Sequence, residues 1–326
     1  MKKDFFVVIP ILKPTPIDSV GIEIQEYFLN EINALKGSFT IGDLKIEYEI
    51  AHNIERYSHI TQRIPPPRFR PYQIFIFQMI TSKASLLPTA FVYEKNGIKL
   101  TEEQSFIFSV FHDLSVFGYV LAYALGIYCK GLFDIDDFVV YHDDANLATA
   151  SGILNSFSSF FDKKDLYEQT NKLSLQKTLD WFLSIKDVLN ACGNSALGKS
   201  LSIYSRMFST IGSDDDIFLG GFLSFVALEA LYESHGKIND LSAKMASYLN
   251  IDEGSCKKDV KTMYKHRSSV AHGGFEFPFK FNPNDASENF EMSLDKTWET
   301  YNLGLRYLFE SYRKMIRENQ KELSFT

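Results

Sequence analysis

Strand-forming patterns are confined to the first 145 or so of the 326 residues, and this asymmetry constrains the fold more than any other feature. Residues 5–12 are rich in Val and Ile, and Leu44–Ile50 alternates apolar with polar side chains, as half-buried strands do. Beyond residue 145 apolar residues recur at helical spacing. We therefore predict an α+β N-terminal domain of residues 1–145, with unknown fold and a sensor or regulatory role, followed by an all-α domain of residues 146–326.

Within the first region we predict a helix over residues 20–35 that stops at Gly37, strands over residues 72–80 and 138–141, and a hairpin turn at Lys95-Asn96-Gly97. Residues 106–128 form a long apolar run. His112 and Asp113 lie inside this run, which disfavours a membrane span. We expect a buried core helix there and no membrane partner.

In the second region, helical spacing predicts helices over residues 146–161, 165–189, 195–210, 217–233, 239–249, 255–272 and 288–319. The run over residues 217–233, IFLGGFLSFVALEALYE, is apolar on all sides, which is typical of a helix surrounded by other helices. Gly273 and Gly274 stand where helices usually stop.

The formal net charge of −7 means that the overall electrostatic field does not attract nucleic acid, so any RNA must be bound by a local basic patch. Three widely spaced cysteines, Cys129, Cys192 and Cys256, form no CxxC pair. They indicate a reducing, cytoplasmic compartment. No cluster of residues has metal-ligand spacing, and we expect neither a metal nor another cofactor.

The residues with the clearest chemical potential are Arg267 and His272, in the segment MYKHRSSVAHGG. RNA carries its own nucleophile, the 2′-hydroxyl group. Its cleavage needs a group that moves protons near neutral pH and a cation that stabilises the charged phosphorane. Histidine suits the first task and arginine the second.

On an ideal helix Arg267 and His272 lie roughly 7.5 Å apart along the axis and about 140° apart around it. They do not share a face, so a common site requires the helix end and a second subunit. The helix C-terminus favours a protonated imidazole at His272. The alternative is that Arg267 is a surface cation and that His272 caps the helix.

A basic segment precedes the pair, with five cations against one anion between Lys257 and Arg267. It can contact RNA phosphates, and the alternative is a solvated helix face. The candidate RNA-binding residues are Lys257, Lys258, Lys261, Lys265 and His266.

Glu229 is a carboxylate within an apolar run and therefore needs a partner, for which Arg267 and Arg306 are candidates. It either orients the catalytic arginine or ties two helices together.

The order of motifs resembles the Apea-like branch of the HEPN family over roughly residues 195–318. An ALE-L helix (FVALEALYE) precedes an LS-K-A helix (LSAKMA), and YKHRSSVAHG matches the family's YxxRSxxxHG. The resemblance implies a HEPN helical bundle, usually a homodimer, with Arg267 and His272 as the ribonuclease pair and Tyr264 and Ser268 as supporting residues. It also implies roles such as antiviral (phage) defence, toxin-like growth arrest or RNA processing. Some members of the family are inactive scaffolds.

Residues 193–200, GNSALGKS, satisfy the phosphate-loop pattern. A strand does not precede them in the predicted order, so we interpret the match as chance. The alternative function that we retain is a non-catalytic HEPN scaffold, or a module that binds a nucleotide or a partner.

Overall fold

The computed structural model describes residues 2–12, 19–51, 72–83, 94–95, 98–99, 102–128, 134–135, 138–142, 149–150, 173–190, 192–210, 217–275 and 288–325. The chain forms two compact units, Met1–Ser184 and Ile185–Thr326. The first contains an antiparallel sheet and helices, and the described part of the second consists of helices and their connections. The predicted order, an α+β region followed by a helical region, is confirmed at this level.

The first unit is organised around a seven-stranded antiparallel sheet. The strands are β1 (Lys2–Leu12), β2 (Lys36–Ile41), β3 (Leu44–Ile50), β4 (Tyr72–Lys83), β7 (Asp134–Ile135), β8 (Phe138–Tyr141) and β9 (Thr149–Ala150). Their order in the sheet is β2-β3-β4-β1-β8-β9, and β7 also pairs with β1. A separate hairpin consists of β5 (Glu94–Lys95) and β6 (Ile98–Lys99). Of the predicted turn, Lys95 is the last residue of β5, and Asn96 and Gly97 lie outside the described residues.

The central strand β1 is buried on both faces over residues 5–9, where consecutive side chains are apolar. Phe6 and Val8 pack with Ile76 on one face. The opposite face is covered by α2 (Glu102–Tyr128), whose Phe111 ring lies 5.8 Å from that of Phe5. The unit also contains α1 (Ser19–Asn33) and α3 (Leu175–Leu183).

The 27-residue helix α2 is the buried core helix that its apolar run predicts. Its Phe117 packs against aromatic rings of three strands, those of Phe39, Tyr48 and Phe77. Among the described residues, no helix combines the length and the apolar character that crossing a membrane requires.

The second unit contains six helices in its described part. They are α4 (Lys186–Leu189), α5 (Ala196–Thr210), α6 (Ile217–Leu231), α7 (Ile238–Leu249), α8 (Glu253–Ala271) and α9 (Glu288–Glu318). Helix α6 contacts α5, α8 and α9, which explains why it is apolar on all sides. The Ser200 hydroxyl on α5 donates to the Ala227 carbonyl of α6 at 2.7 Å and also bonds the Tyr312 hydroxyl of α9. These polar contacts fix three helices around the core.

Three predictions about local structure are wrong. Gly37 lies inside β2 instead of stopping a helix. Thr149–Ala150 pairs with β8 as a strand, where we predicted a helix over residues 146–161; residues 151–172 lie outside the described part. The predicted helix over residues 165–189 is broken after α3, because Ser184 caps that helix and its hydroxyl donates to the Trp181 carbonyl.

The division between the units differs from the boundary that we predicted after residue 145. It falls after Ser184, because α3 packs on α2 and thus belongs to the sheet unit. Leu175, Leu179 and Phe182 of α3 are buried. We had placed the boundary just after the last predicted strand, but the chain still contributes a helix to the core of the first unit beyond that strand.

Candidate functional site

Helix α8 carries Arg267, is followed directly by His272 and has well-formed ends. Its N-terminus is capped by Asp252, whose carboxylate accepts the Ser255 N–H at 2.7 Å. Its C-terminus is a Schellman motif, in which Gly273 adopts φ +70° and the Gly274 N–H donates to the Ser269 carbonyl at 2.9 Å. The predicted stop at the two glycines is confirmed, and His272 is the exposed C-cap residue.

Arg267 and Glu229 are brought together by the packing of α8 on α6. The Arg267 Nε lies 3.9 Å from the Glu229 Oε2, and the two side chains are 30% and 12% exposed. The Nε atom itself is buried and has no hydrogen-bond partner among the described residues. Of the two partners predicted for Glu229, it is therefore Arg267 that contacts it, whereas Arg306 lies over the ring of Tyr307.

The environment of Glu229 acts on its pKa in two directions. Burial is the largest influence and raises the pKa above its usual value. The charge of Arg267, the backbone N–H of Gly236 and the charge of His235 lower it in turn, but not enough to cancel burial. Glu229 is thus a poorly solvated carboxylate held between a cation and a backbone donor.

An open cleft of about 360 Å³ surrounds this ion pair. Three sequence-distant segments line it: the start of α5, the end of α6 with the turn that follows, and Arg267 of α8. Besides Glu229 and Arg267, its charged and titratable residues are Lys199, Glu233 and His235. Of these three, sequence reasoning considered only Lys199, as part of the phosphate-loop pattern, because no local pattern links residues 199, 235 and 267.

His272 does not line the cleft that contains Arg267. The two residues project from different faces of α8, as the helical spacing predicted. Arg267 continues the stripe of buried residues Cys256, Val260 and Met263. His272 continues an outward stripe through Lys261, Lys265 and Ser268. Within one chain the structure therefore joins Arg267 to Glu229 and leaves His272 apart.

The lysines predicted to bind RNA are at least partly accessible. Lys258, Lys261 and Lys265 are exposed and Lys257 is half-buried. The supporting residues Tyr264 and Ser268 are also half-buried; the Tyr264 ring lies 6.2 Å from that of Phe225, and the Ser268 carbonyl accepts the His272 N–H. The geometry thus provides a basic, accessible face along most of α8.

His266 does not belong to that face, which disfavours its predicted role as an RNA-binding residue. It is only 8% exposed. Its ring packs edge-on against Phe275, with 5.2 Å between ring centroids, and against Gly221, where a Cβ atom would lie 3.1 Å from the His266 Nε2. His266 follows Met263 by three residues and so shares the buried stripe, which composition alone did not reveal.

The hydrogen-bond donors at the start of the GNSALGKS segment are occupied by the carboxylate of Asp187. The Asp187 Oδ2 accepts hydrogen bonds from the Asn194 N–H at 3.0 Å, the Ser195 N–H at 2.7 Å and the Ser195 hydroxyl at 2.7 Å. The donors of Ser195 hold the pKa of Asp187 below its usual value. Gly198 permits this approach, since a Cβ atom there would lie 2.0 Å from the Asp187 Oδ2.

Two further features separate this segment from a phosphate loop. The short helix α4, not a strand, precedes it. Ser200, at the position that binds Mg²⁺ in phosphate loops, is fully buried and bonded to Ala227 and Tyr312. A carboxylate occupies the position that an anion would need, so the match to the pattern reflects helix capping.

Across the described residues, no group of three or more His, Cys, Asp and Glu side chains is arranged to hold a metal ion. Comparisons of the chain with protein-family models, curated proteins and solved structures give no match. The function must therefore be argued from the Arg267 cleft and its surroundings.

Proposed function

We propose that the helical unit is a HEPN-type endoribonuclease, acting without a metal, which cleaves RNA by attack of the 2′-hydroxyl on the adjacent phosphate. The observation that carries the proposal is the position of Arg267 in an open cleft beside Glu229. Its guanidinium group has five N–H donors, but its one polar contact among the described residues is the 3.9 Å ion pair with Glu229. An arginine fixed at one side and open to a cleft suits phosphate binding.

In this reaction the O2′–P bond forms while the P–O5′ bond breaks. One proton leaves the 2′-hydroxyl and another is delivered to the departing O5′. Arg267 stabilises the charge that develops on the phosphorane oxygens, and His272 transfers a proton. Lys257, Lys258, Lys261 and Lys265 of α8 hold neighbouring phosphates, while Tyr264 and Ser268 support the arginine.

The proposed active form is a homodimer. Arg267 and His272 occupy different faces of α8, so a second copy is needed to bring a histidine of one chain to the arginine of the other. The acidic net charge agrees with a small local site in preference to general RNA binding. On the family resemblance alone, we extend the proposal to a role in phage defence or growth arrest.

The test is an RNA cleavage assay in EDTA that compares wild type with His272→Ala and Arg267→Ala. Arg306→Ala is the matched control, since it removes an exposed arginine of the same unit outside the cleft. We expect wild type and the control to cleave equally and the two site variants to lose activity. No cleavage by wild type, or full activity of His272→Ala, contradicts the proposal.

A non-catalytic HEPN module that binds a partner is the second candidate. It is favoured by the separation of Arg267 and His272 within the chain. Its nucleotide-binding version is disfavoured by Asp187, which occupies the backbone donors of the GNSALGKS segment. Under this candidate, Arg267→Ala changes partner binding and RNA remains intact with every variant.

A further inference from the structure

The cleft that contains Arg267 also contains a histidine that neither the sequence motifs nor the proposed pair uses. We propose that His235 is a second catalytic residue, the base that accepts the proton of the RNA 2′-hydroxyl within the Arg267 cleft. This inference rests on the proposed function and deepens it, because cleavage requires two proton transfers and the pair supplies one histidine per chain.

The helical unit has three histidines, and their positions differ in a decisive way. His266 is buried against Phe275, which prevents contact with RNA. His272 caps α8 on the outward face and does not line the cleft. His235 is exposed and lines the same cleft as Arg267. Of the three, it alone can reach a phosphate bound at that arginine of its own chain.

The turn after α6 holds His235 in an unusual backbone conformation. Glu233 and His235 both adopt φ +49°, a left-handed conformation that side-chain-bearing residues rarely adopt, and Gly236 follows with φ +80°. Such strained residues concentrate at functional sites. Here the conformation presents the imidazole to the cleft and places the Gly236 N–H as a donor to Glu229.

Lys244 of α7 holds the start of this turn in place. Its ammonium group donates to the Tyr232 carbonyl at 3.0 Å and to the Glu233 carbonyl at 3.4 Å, and it pairs with Asp240 at 2.9 Å. The Ser234 N–H also donates to the Glu229 carbonyl at 3.2 Å. These bonds fix the backbone that immediately precedes His235.

The cleft around the imidazole carries charges of both signs. Lys199 and Arg267 are the cations of the cleft, and Glu229 and Glu233 its carboxylates. With RNA bound, His235 accepts the 2′-hydroxyl proton as O2′ attacks phosphorus, and Arg267 stabilises the phosphorane. The P–O5′ bond then breaks, and O5′ takes a proton from His272 of a second copy. The products are a 2′,3′-cyclic phosphate and a 5′-hydroxyl.

The test variant is His235→Asn, because asparagine tolerates the left-handed backbone and so preserves the turn. Lys237→Asn is the matched control: it introduces the same side chain two residues away, at an exposed position outside the cleft. Equal melting temperatures of both variants and wild type establish that the fold is intact. We expect His235→Asn to lower kcat by about 100-fold with little change in KM. The pH–rate profile should also lose its limb at low pH.

A second measurement follows the His235 imidazole by NMR while uridine 3′-monophosphate is added. We expect its resonances to shift in wild type and to shift less in Arg267→Gln. If His235→Asn keeps the wild-type kcat and pH profile while His272→Ala abolishes cleavage, His235 is not the base and the proposed ribonuclease still stands. An unmoved His235 resonance also overturns the inference, and an RNA left intact by wild type overturns both.

Discussion

Helix α8 has two faces that both carry cations, but the cation is partly buried and paired on one face and exposed to solvent on the other. The face that packs on α6 holds its one cation, Arg267, beside Glu229, after the buried residues Cys256, Val260 and Met263. The outward face carries Lys261 and Lys265 in solvent and ends at His272. A cation whose position is fixed can stabilise charge that develops at one atom, whereas solvated surface lysines attract phosphates without selecting among them.

The largest expected effect separates the two faces by activity. Arg267→Gln removes the fixed cation but keeps a side chain of similar size, and we expect cleavage under single-turnover conditions to slow by roughly 100- to 1,000-fold. Lys265→Gln, a matched change on the outward face, should slow it only a few-fold. Equal losses for the two variants would mean that the faces do not differ in function.

His266→Ala sharpens the comparison through stability. This side chain fills the space between Gly221 and Phe275, so we expect its removal to lower the free energy of unfolding by about 2 kcal/mol. Urea unfolding measures the change, with His272→Ala as the exposed control that unfolds as wild type does. Wild-type stability combined with weakened RNA binding would instead return His266 to the RNA-binding face.

The contribution of the outward face should appear in the salt dependence of RNA affinity. Lys258→Ala, Lys261→Ala and Lys265→Ala each remove one ammonium group that we expect to neutralise an RNA phosphate. Each substitution should therefore lower the slope of log affinity against log salt concentration by about 0.7 for single-stranded RNA. Fluorescence anisotropy with labelled RNA at several salt concentrations gives the slope. The control is Lys237→Ala, and a slope that stays constant in the triple variant contradicts the assignment of these lysines.

The smallest expected effect concerns Glu229. Its pKa is raised by burial, so the folded state binds this proton more tightly than the unfolded state does. Its protonated form therefore adds stability at low pH that is lost as pH rises through the folded pKa. Glu229→Gln lacks this dependence. The unfolding free energy of wild type relative to the variant should fall from about pH 4 to about pH 7, and a rise would mean that Arg267 outweighs burial.

The sequence predicted the regular elements best where periodicity was long and the ends were chemically marked. The bounds of β3 were predicted to the residue, and α8 was predicted to stop at its two glycines. The break after α3 was missed because Ser184 ends a helix within an otherwise continuous pattern. Strand β9 was missed since two residues give no periodicity and their pairing with β8 is set by tertiary contacts.

The candidate site was predicted in part. Glu229 needed a partner for a reason visible in its apolar surroundings, and the choice between Arg267 and Arg306 depended on which helix packs beside α6. The sequence could not place Lys199 and His235 beside Arg267, because the cleft is assembled from segments that only the fold brings together. His266 was placed on the wrong face because it was grouped with its charged neighbours along the chain and not with Met263 one turn earlier.

Asp187 makes the GNSALGKS segment unsuited to binding a phosphate, although its sequence matches the phosphate-loop pattern. The backbone donors of Asn194 and Ser195 are already saturated by a carboxylate that stays ionised to lower pH than usual. A phosphate that approaches the N–H groups of Asn194 and Ser195 would therefore meet the negative charge of Asp187. Asp187 thus takes the place that the phosphate of a nucleotide occupies in a phosphate loop. A sequence pattern that binds a nucleotide in other proteins is here used to cap a helix.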